Sequence, residues 1–576
     1  MIKLHRKPLL LLLSSAALYV LAFPNHDFAL LGWICLVPAF EAWRRAQSFK
    51  QVLLYGAVLQ FLISILGFYW VAHVLSEYGR LPFALGVLGL AGFGFIGQPQ
   101  FLLVAPLFWW ALRVREKYAI SPHGFWFGFA AVYAGVDGVI PKLFVDTLGH
   151  SQYQNEVLRQ AASIGGVALL SFLMLLVNGA VWELLKKAYQ GQLRSKTEWT
   201  GLFPLYFGSF LLILAALGFG QFEKRFWQTQ TERARADSLV TLAGIQANIG
   251  DLEKFASEQG GGGIADRVVR KYLELSKVAL QSESRPQALI WPETAYPSTF
   301  GTPDTSGEVR RDQAVRQFVG ELGTPLWFGG YDRDRRKDFN AMFFLSEGGS
   351  DDPSSEIVST PVVKVPSLHT ATYRKNILLL FGEYLPGSEW FPSLKRAFPQ
   401  VGNFGKGNGP EVFALPLKQS DPSHLLSTLR VAPAICYEVL FSDFIAQQAR
   451  AGAELLVNIT NDSWFGLTSE PALHLALSTF RAIETRRPLL RVTNTGISAL
   501  VLPDGSIAAK TGQNRPEILD ARIPVLTAER RSQGIPESGV VKWGPWAAPV
   551  LLGIGGAWVL ILWTVVRRAS RVPGSA

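Results

Sequence analysis

The chain has 576 residues, 49% of them from the hydrophobic set and only 17% charged, with a mean hydropathy of +0.20 and a formal net charge of +10. Soluble chains carry about 25% charged residues, so this composition and its long uncharged runs exclude an ordinary water-soluble protein, a disordered chain and a collagen. Two cysteines, Cys35 and Cys436, are too few for a disulfide scaffold.

A bilayer core about 30 Å thick is crossed by about 20 apolar residues in helical form. Stretches 8–23, 51–72, 119–136, 161–182, 201–221 and 545–566 contain no Asp, Glu, Lys or Arg. Two further runs are less regular. The run at 28–40 has 13 residues before Glu41, and 81–112 has 32, enough for one long helix or a re-entrant pair. Lys3, Arg6 and Lys7 ahead of the first run are signal-peptide features, but Phe23-Pro24-Asn25-His26 leads into more apolar sequence without a small-residue cleavage site. An uncleaved anchor is therefore expected.

Counting 81–112 once gives seven spans before residue 222 and an eighth near the end. Short cytoplasmic loops collect Lys and Arg. With the N-terminus inside, the cytoplasmic pieces hold Lys3, Arg6, Lys7, Arg44, Arg45, Lys50, Arg113, Arg115, Lys117, Lys186, Lys187, Arg194, Lys196, Arg567, Arg568 and Arg571; the opposite short loops hold Arg80, Lys142 and Arg159. This asymmetry predicts a transmembrane bundle over 1–221, an extracytoplasmic domain over 222–540, and a final helix with a short basic cytoplasmic tail over 541–576. It also accounts for sixteen of the 55 basic residues. No helix-turn-helix, zinc-ligand spacing or aromatic–basic platform accompanies the rest, so nucleic acid is an unfavoured partner.

The insert alternates short β-like runs with Gly- and Pro-rich turns and a few helices, which predicts a mixed α/β domain. Strands are expected at Leu239–Ala247, Ala288–Trp291, Leu326–Gly329, Ala341–Leu345, Leu429–Ile435, Glu454–Ile459 and Leu489–Thr493. Helices are expected at Ile264–Ser282, Gly307–Leu322, Ser442–Ala451 and Pro471–Thr485. Gly260 to Gly263 read as a flexible loop rather than a phosphate cradle.

Three segments run from apolar sequence directly into reactive side chains: Ala288-Leu-Ile-Trp-Pro-Glu293, Thr372-Tyr-Arg-Lys375 followed by Phe381-Gly-Glu383-Tyr384, and Leu429-Arg-Val-Ala-Pro-Ala-Ile-Cys436-Tyr437-Glu438. Singly, each has a bland reading: a helix-capping acid, a surface lysine, a small buried hydrophobe. Cys436 is the only cysteine outside the expected spans, and an unpaired thiol in an oxidising compartment is a liability unless used. Glu293 is suited to take its proton, and Lys375 to stabilise thiolate and then an oxyanion. The insert's histidines, His369, His424 and His474, form no Cys–His pattern, and there is no Gly-x-Ser-x-Gly elbow.

These boxes resemble the nitrilase, or carbon–nitrogen hydrolase, superfamily with its Glu-Lys-Cys triad in an αββα sandwich. Gln246-Ala-Asn248 is similar to the superfamily's opening strand. Val457-Asn-Ile-Thr-Asn461-Asp-Ser-Trp464-Phe465-Gly466 is similar to its post-cysteine strand and loop, and Arg481 through Gly496 to its closing helix and strand. With seven spans before this domain and one after, nearly the whole chain resembles the superfamily's membrane-embedded branch, the apolipoprotein N-acyltransferases.

That resemblance implies a fold, a reaction and roles. Cys436 would take an acyl chain from a phospholipid, usually phosphatidylethanolamine, as a thioester. Glu293 would be general base and then acid, and Lys375 would stabilise the tetrahedral intermediates. Glu383 would orient the lysine or the substrate, while Tyr437 and Glu438 would flank and support the nucleophile. The acceptor would be the α-amino group of a diacylglyceryl-cysteine at the start of an apolipoprotein, in the bacterial inner membrane with catalysis on the periplasmic side. Trp464, Phe465, Trp390 and Phe255 would serve as substrate-binding or lid residues, and Leu378-Leu-Leu-Phe381 and Trp390-Phe391 either border the opening or pack inside the domain. No cofactor or metal is implied. The chain departs from the family at Leu380, where Pro is common, at Phe255, where Trp is common, and at Asn376, where His or Arg is common.

Two other readings use the same residues. A membrane-tethered amidase or nitrilase-type hydrolase would pass the acyl group to water, but needs no eight-helix scaffold. A non-catalytic scaffold or transporter would be expected to carry ionisable groups in its spans, which here are almost free of charge.

Overall fold

The computed structural model describes residues 5–569 apart from 25, 80, 193–195, 251–261, 335–336, 348–367, 389, 392, 394–395, 397–400, 419–427, 528–530 and 533. The chain divides into two units, Met1–Arg225 with Ala472–Phe480 and Lys542–Ala576, and Phe226–Pro471 with Arg481–Val541.

The first unit is helical: α1 (Arg6–Leu21), α2 (Val37–Arg44), α3 (Phe49–Gly67), α4 (Phe83–Gly94), α5 (Gln100–Tyr118), α6 (Pro122–Val139), α7 (Ala168–Tyr189), the start of α8 (Lys196–Asp237), and, after the second unit, α13 (Ala547–Ala569). Four stretches, α3, α7, Thr200–Ala236 within α8, and α13, are long and apolar enough to cross a membrane. Small residues let these helices approach closely. A Cβ on Gly135 of α6 would lie 2.4 Å from the Leu552 backbone nitrogen of α13.

The expected span at 28–40 is not one helix. Ala29–Trp33 forms a 3₁₀ turn, and α2 starts only at Val37, with Pro38 in its first turn. Backbone groups freed at an apolar depth need partners, and Asn178 of α7 supplies them. Leu36 N donates to Asn178 Oδ1 at 2.8 Å, and Asn178 Nδ2 donates to Gly32 O at 3.1 Å. Ser15 of α1 also donates to the Cys35 carbonyl.

The 81–112 run likewise breaks, between Gly94 and Gln100, with Pro99 capping α5. Its first half, α4, is 12 residues long and so about 18 Å, short of a bilayer. Lys142, expected in an exposed loop, is buried with its Nζ 2.6 Å from Asp137 Oδ1. A charge pair at low dielectric is tolerable where a lone charge is not.

The second unit is an α–β–β–α sandwich. Its strands are β1 (Leu239–Gln246), β2 (Ala288–Ile290), β3 (Leu326–Arg333), β4 (Asp338–Glu347), β5 (Leu368–Arg374), β6 (Phe413–Pro416), β7 (Thr428–Ile435), β8 (Leu455–Thr460), β9 (Leu489–Thr493), β10 (Ala499–Val501), β11 (Ile507–Lys510) and β12 (Glu517–Pro524). They make two six-stranded sheets, ordered β12-β1-β2-β3-β4-β5 and β11-β10-β9-β8-β7-β6. Within each sheet three neighbouring strands run parallel, β1 to β3 and β7 to β9. Their reactive ends therefore lie on one edge.

Leu242, Ile290, Trp327 and Phe344 of one sheet meet Val431, Val457, Leu490 and Val492 of the other in a buried layer. On the outer face of the first sheet, α9 (Gly262–Leu280) and α10 (Ser306–Leu322) bury Val268, Tyr272, Val315 and Phe318 against Ile245, Trp291 and Phe328. This is the amphipathic spacing that marks both as helices. α10 starts with a capping box, Thr305 Oγ1 accepting from Glu308 N at 3.2 Å, and stops at Gly323, whose φ is +55°. On the second sheet, α11 (Ser442–Arg450) is fastened by Gln448 Nε2 donating to Pro433 O at 2.7 Å. In chain order α12 (Glu470–Thr485) follows β8, with its Ala472–Phe480 stretch belonging to the first unit.

The expected strands and helices of this unit all form, with ends shifted by a few residues. Five strands carry no core-like signal in sequence: β5, β6, β10, β11 and β12. Most are short or at sheet edges. Residues 260–261 of the glycine run lie outside the described residues, and Gly262 and Gly263 open α9. Of 346–363, only Ser346 and Glu347 are described; they end β4.

Candidate active site

Three strand ends bring their side chains to one point. β2 ends at Ile290, and Trp291-Pro292 turn the chain so that Glu293 faces inward, buried. Thr294, next in line, adopts φ +50°. β3 can pass behind this turn only because residue 329 is glycine: a Cβ there would lie 2.6 Å from Glu293 Cα. Lys375 follows β5 and is 1% exposed. Cys436 follows β7 and is half-buried, with φ +52°, a left-handed conformation unusual for a residue with a Cβ.

Lys375 Nζ donates to Glu383 Oε1 at 2.8 Å and lies 3.4 Å from Glu293 Oε1. Glu383 comes from the tight turn after Leu379, whose N–H donates to Glu383 Oε2 at 2.9 Å. Glu293 Oε2 accepts from the backbone N–H of Asn461 at 2.9 Å. Burial works against the Lys375 ammonium, but Glu383 and Glu293 outweigh it and hold its pKa above the usual lysine range. Burial also pushes the Cys436 thiol well up. The Glu293 carboxylate adds to that rise, while Lys375 and a hydrogen bond with Thr460 oppose it. The resting site thus favours a neutral thiol beside an ammonium.

Glu438 takes a different part from the other acids. Its Oε2 accepts from Ile435 N at 2.7 Å and from Tyr373 Oη at 2.8 Å, and its Oε1 accepts from Asn376 N at 2.6 Å and Ile377 N at 3.1 Å. It joins the turn that presents the cysteine to the loop that presents the lysine. Burial raises its pKa to about 7, opposed by the Ile435 and Asn376 N–H groups. Asn376, the departure noted from sequence, holds this loop too, with Oδ1 accepting from Gly409 N at 2.6 Å.

Of the other residues singled out from sequence, Tyr437 is buried with its ring 4.9 Å from that of Phe441. Trp464 and Phe465 sit half-buried in a single 3₁₀ turn, Asp462–Phe465. Trp390, Phe391 and Phe381 are 82%, 62% and 56% exposed, whereas Leu378 is buried. Phe255 lies outside the described residues.

Sequence reasoning overlooked two features. Asn340 of β4 donates from Nδ2 to both Glu293 Oε1, at 2.7 Å, and Glu383 Oε1, at 2.8 Å. The visible signal is a lone amide inside the apolar run of a central strand. The second is a relay behind the nucleophile. Arg491 pairs with Asp462 at 2.8 Å and donates to Asn458 Oδ1 at 2.6 Å, and Asn458 Nδ2 donates to the Cys436 carbonyl at 3.2 Å. Both charged partners are fully buried.

A thiol, a carboxylate and an ammonium at the strand ends of an α–β–β–α sandwich is the arrangement of a carbon–nitrogen hydrolase, and the family model of that description matches residues 246–532. The model described as the apolipoprotein N-acyltransferase N-terminal domain matches residues 15–180. An apolipoprotein N-acyltransferase of Bdellovibrio bacteriovorus is 33% identical over 93% of this chain and 90% of its own length. Relatives of the same name from Geobacter metallireducens and Azotobacter vinelandii are 27% and 26% identical, over 90% and 98% of this chain and 89% and 97% of theirs. Among solved structures, an amidase from Nesterenkonia sp. aligns at 17% identity over 50% of this chain and 90% of that one, with a TM-score of 0.31. The chain belongs to the apolipoprotein N-acyltransferase family, a membrane branch of the nitrilase superfamily, and is an acyltransferase.

Proposed function

We propose that this enzyme moves an acyl chain from a phospholipid, phosphatidylethanolamine in the first instance, to Cys436, and then to the α-amino group of the diacylglyceryl-cysteine of an apolipoprotein. Glu293 takes the thiol proton as sulfur attacks the ester carbonyl. Lys375, with Glu383 holding it, balances the oxyanion. On collapse the C–O bond breaks, and the proton on Glu293 passes to the departing lysophospholipid alkoxide. In the second half the acceptor amine loses a proton to Glu293 as it attacks the thioester. The C–S bond then breaks and the thiolate recovers the proton. Glu438 and Tyr437 support the nucleophile's turn. Trp464, Phe465, Trp390 and Phe255 line or cover the acyl chain, and the shield keeps water from the thioester until the amine arrives.

The topology belongs to the same reading. Eight crossings are counted, at 8–23, 28–40, 51–72, 81–112, 119–136, 161–182, 201–221 and 545–566, with the broken run 81–112 taken as one. The N-terminus is cytoplasmic, the bundle covers 1–221, the periplasmic catalytic domain 222–540 and the last helix and tail 541–576, all in the bacterial inner membrane.

The observation that carries this reading is the shared contact of Lys375 with Glu293 and Glu383 beside Cys436, in a chain that also has membrane-length helices. The test is the intact mass of the detergent-purified protein after incubation with phosphatidylethanolamine, beside Cys436→Ala. A hydroxylamine-labile gain of one acyl chain, absent in the variant, is expected. Fatty acid released without an adduct would favour a hydrolase. Neither adduct nor release, with lipid bound, would overturn the reading.

A further inference from the structure

Two carboxylates converge on one ammonium in this site, and that arrangement has an electrostatic problem. Glu293 and Glu383 each place an Oε1 toward Lys375 Nζ. The two carboxyl groups share that one ammonium, and repulsion between them would drive either out of its place beside Lys375 unless another group fixes it.

Asn340 meets that need. The Nδ2 atom has two hydrogens, and the structure assigns one to each acid, at 2.7 Å and 2.8 Å. The residue is 3% exposed. Its own backbone is tied to the same centre, since the carbonyl of Asn340 accepts from Lys375 N at 2.9 Å. The amide orientation follows from the contacts: an oxygen facing either carboxylate would be repelled, so Oδ1 is turned away. One side chain thus bridges the two acids and fixes the spacing of their Oε1 atoms.

We infer that Asn340 is a positioning residue that holds Glu293 and Glu383 parted around Lys375, so that Glu293 stays placed to act as base for Cys436. The inference rests on the acyltransferase reading only for the identity of the acyl donor.

The test uses the full-length protein in detergent, with Asn340→Ala and Asn340→Asp, and two readouts across pH. One is acyl-adduct formation from phosphatidylethanolamine, resolved into kcat and KM. The other is alkylation of Cys436 by iodoacetamide, located by peptide mass, which needs no acyl donor. For Asn340→Ala, kcat falls about 100-fold, the scale of a general-base contribution, with KM within about threefold. Asn340→Asp keeps the shape of the side chain and guards against a misfolded alanine variant. It adds a third carboxylate, so its deficit is largest at high pH and narrows as pH falls. Rates within about threefold of wild type in both readouts, a loss confined to KM, or an Asn340→Asp deficit that does not narrow as pH falls would overturn the inference. A wild type whose alkylation depends on Asn340 but which takes no acyl chain would sink the acyl-donor reading and leave this inference standing.

Discussion

The Glu438 carboxylate and the Asn376 backbone N–H are joined by a 2.6 Å hydrogen bond that ties the cysteine's turn to the lysine's loop. Ile435, just before the nucleophile, and Asn376, just after the lysine, thus share one buried acid. The spacing of the cysteine's turn and the lysine's loop is therefore held by one shared carboxylate.

Glu438 makes stability and activity depend on pH in a definite direction. Its folded pKa of about 7 lies above its ordinary value of 4.5. A raised carboxyl adds stability that is fully present below the ordinary value and is lost as pH climbs to about 7. Glu438→Gln should remove that downward slope between pH 4.5 and 7, measured as melting temperature against pH. The same variant should lose acyl-enzyme formation, because a neutral amide cannot accept from three backbone donors as the carboxylate does. A slope unchanged from wild type would show that Glu438 is not the group responsible.

Lys375 is in contact with both Glu293 and Glu383. Lys375→Met keeps most of the volume and removes the charge. Loss of an oxyanion partner is worth about 10² to 10³ in rate, and stranding two buried carboxylates costs about 3–5 kcal/mol. Single-turnover acylation should fall by at least that factor and the melting temperature should fall with it. A variant that melts like wild type would mean the acids find water instead.

The Arg491–Asp462 pair behind the nucleophile should obey the asymmetry of buried ion pairs. Asp462→Asn leaves the guanidinium without its counter-charge, at a cost of about 3–5 kcal/mol, whereas removing both charges together is far milder. A double-mutant cycle with Arg491→Met by chemical denaturation checks this. If the two losses simply add, the pair is not coupled.

The exposed aromatic tip offers the opposite case. Trp390→Ser should change stability by less than about 0.5 kcal/mol, as an exposed position without core contacts does. Under the lid reading it should still slow turnover of a long-chain phospholipid more than that of a short-chain soluble ester. Equal effects on both substrates would remove Trp390 from the acyl-chain path.

Glu293 and Cys436 were singled out from sequence because each follows an apolar strand, whereas Lys375, after the weakly marked β5, was singled out only through its motif. Asn340 was not, since it lies inside β4 between Phe339 and Ala341, where alternation alone marks it only as inward-facing. The backbone N–H groups of Leu379 and Asn461 that satisfy the two acids carry no side-chain signature at all. The membrane half shows the same limit. Composition located its apolar runs, but the break before α2 depends on Asn178, 142 residues further on, and the edge strands β11 and β12 form against neighbouring strands that sequence alone does not place beside them.

The pairing of β1 with β12 has a consequence for how such a chain is put together. Leu239 lies opposite Pro524, and Ser238 and Val525 exchange hydrogen bonds at the root. The α/β unit therefore begins and ends side by side, closed by its own antiparallel ladder like a purse by its drawstring. Both connections to the neighbouring helices thus leave the sandwich from one corner, so neither chain end has to travel round the sheets.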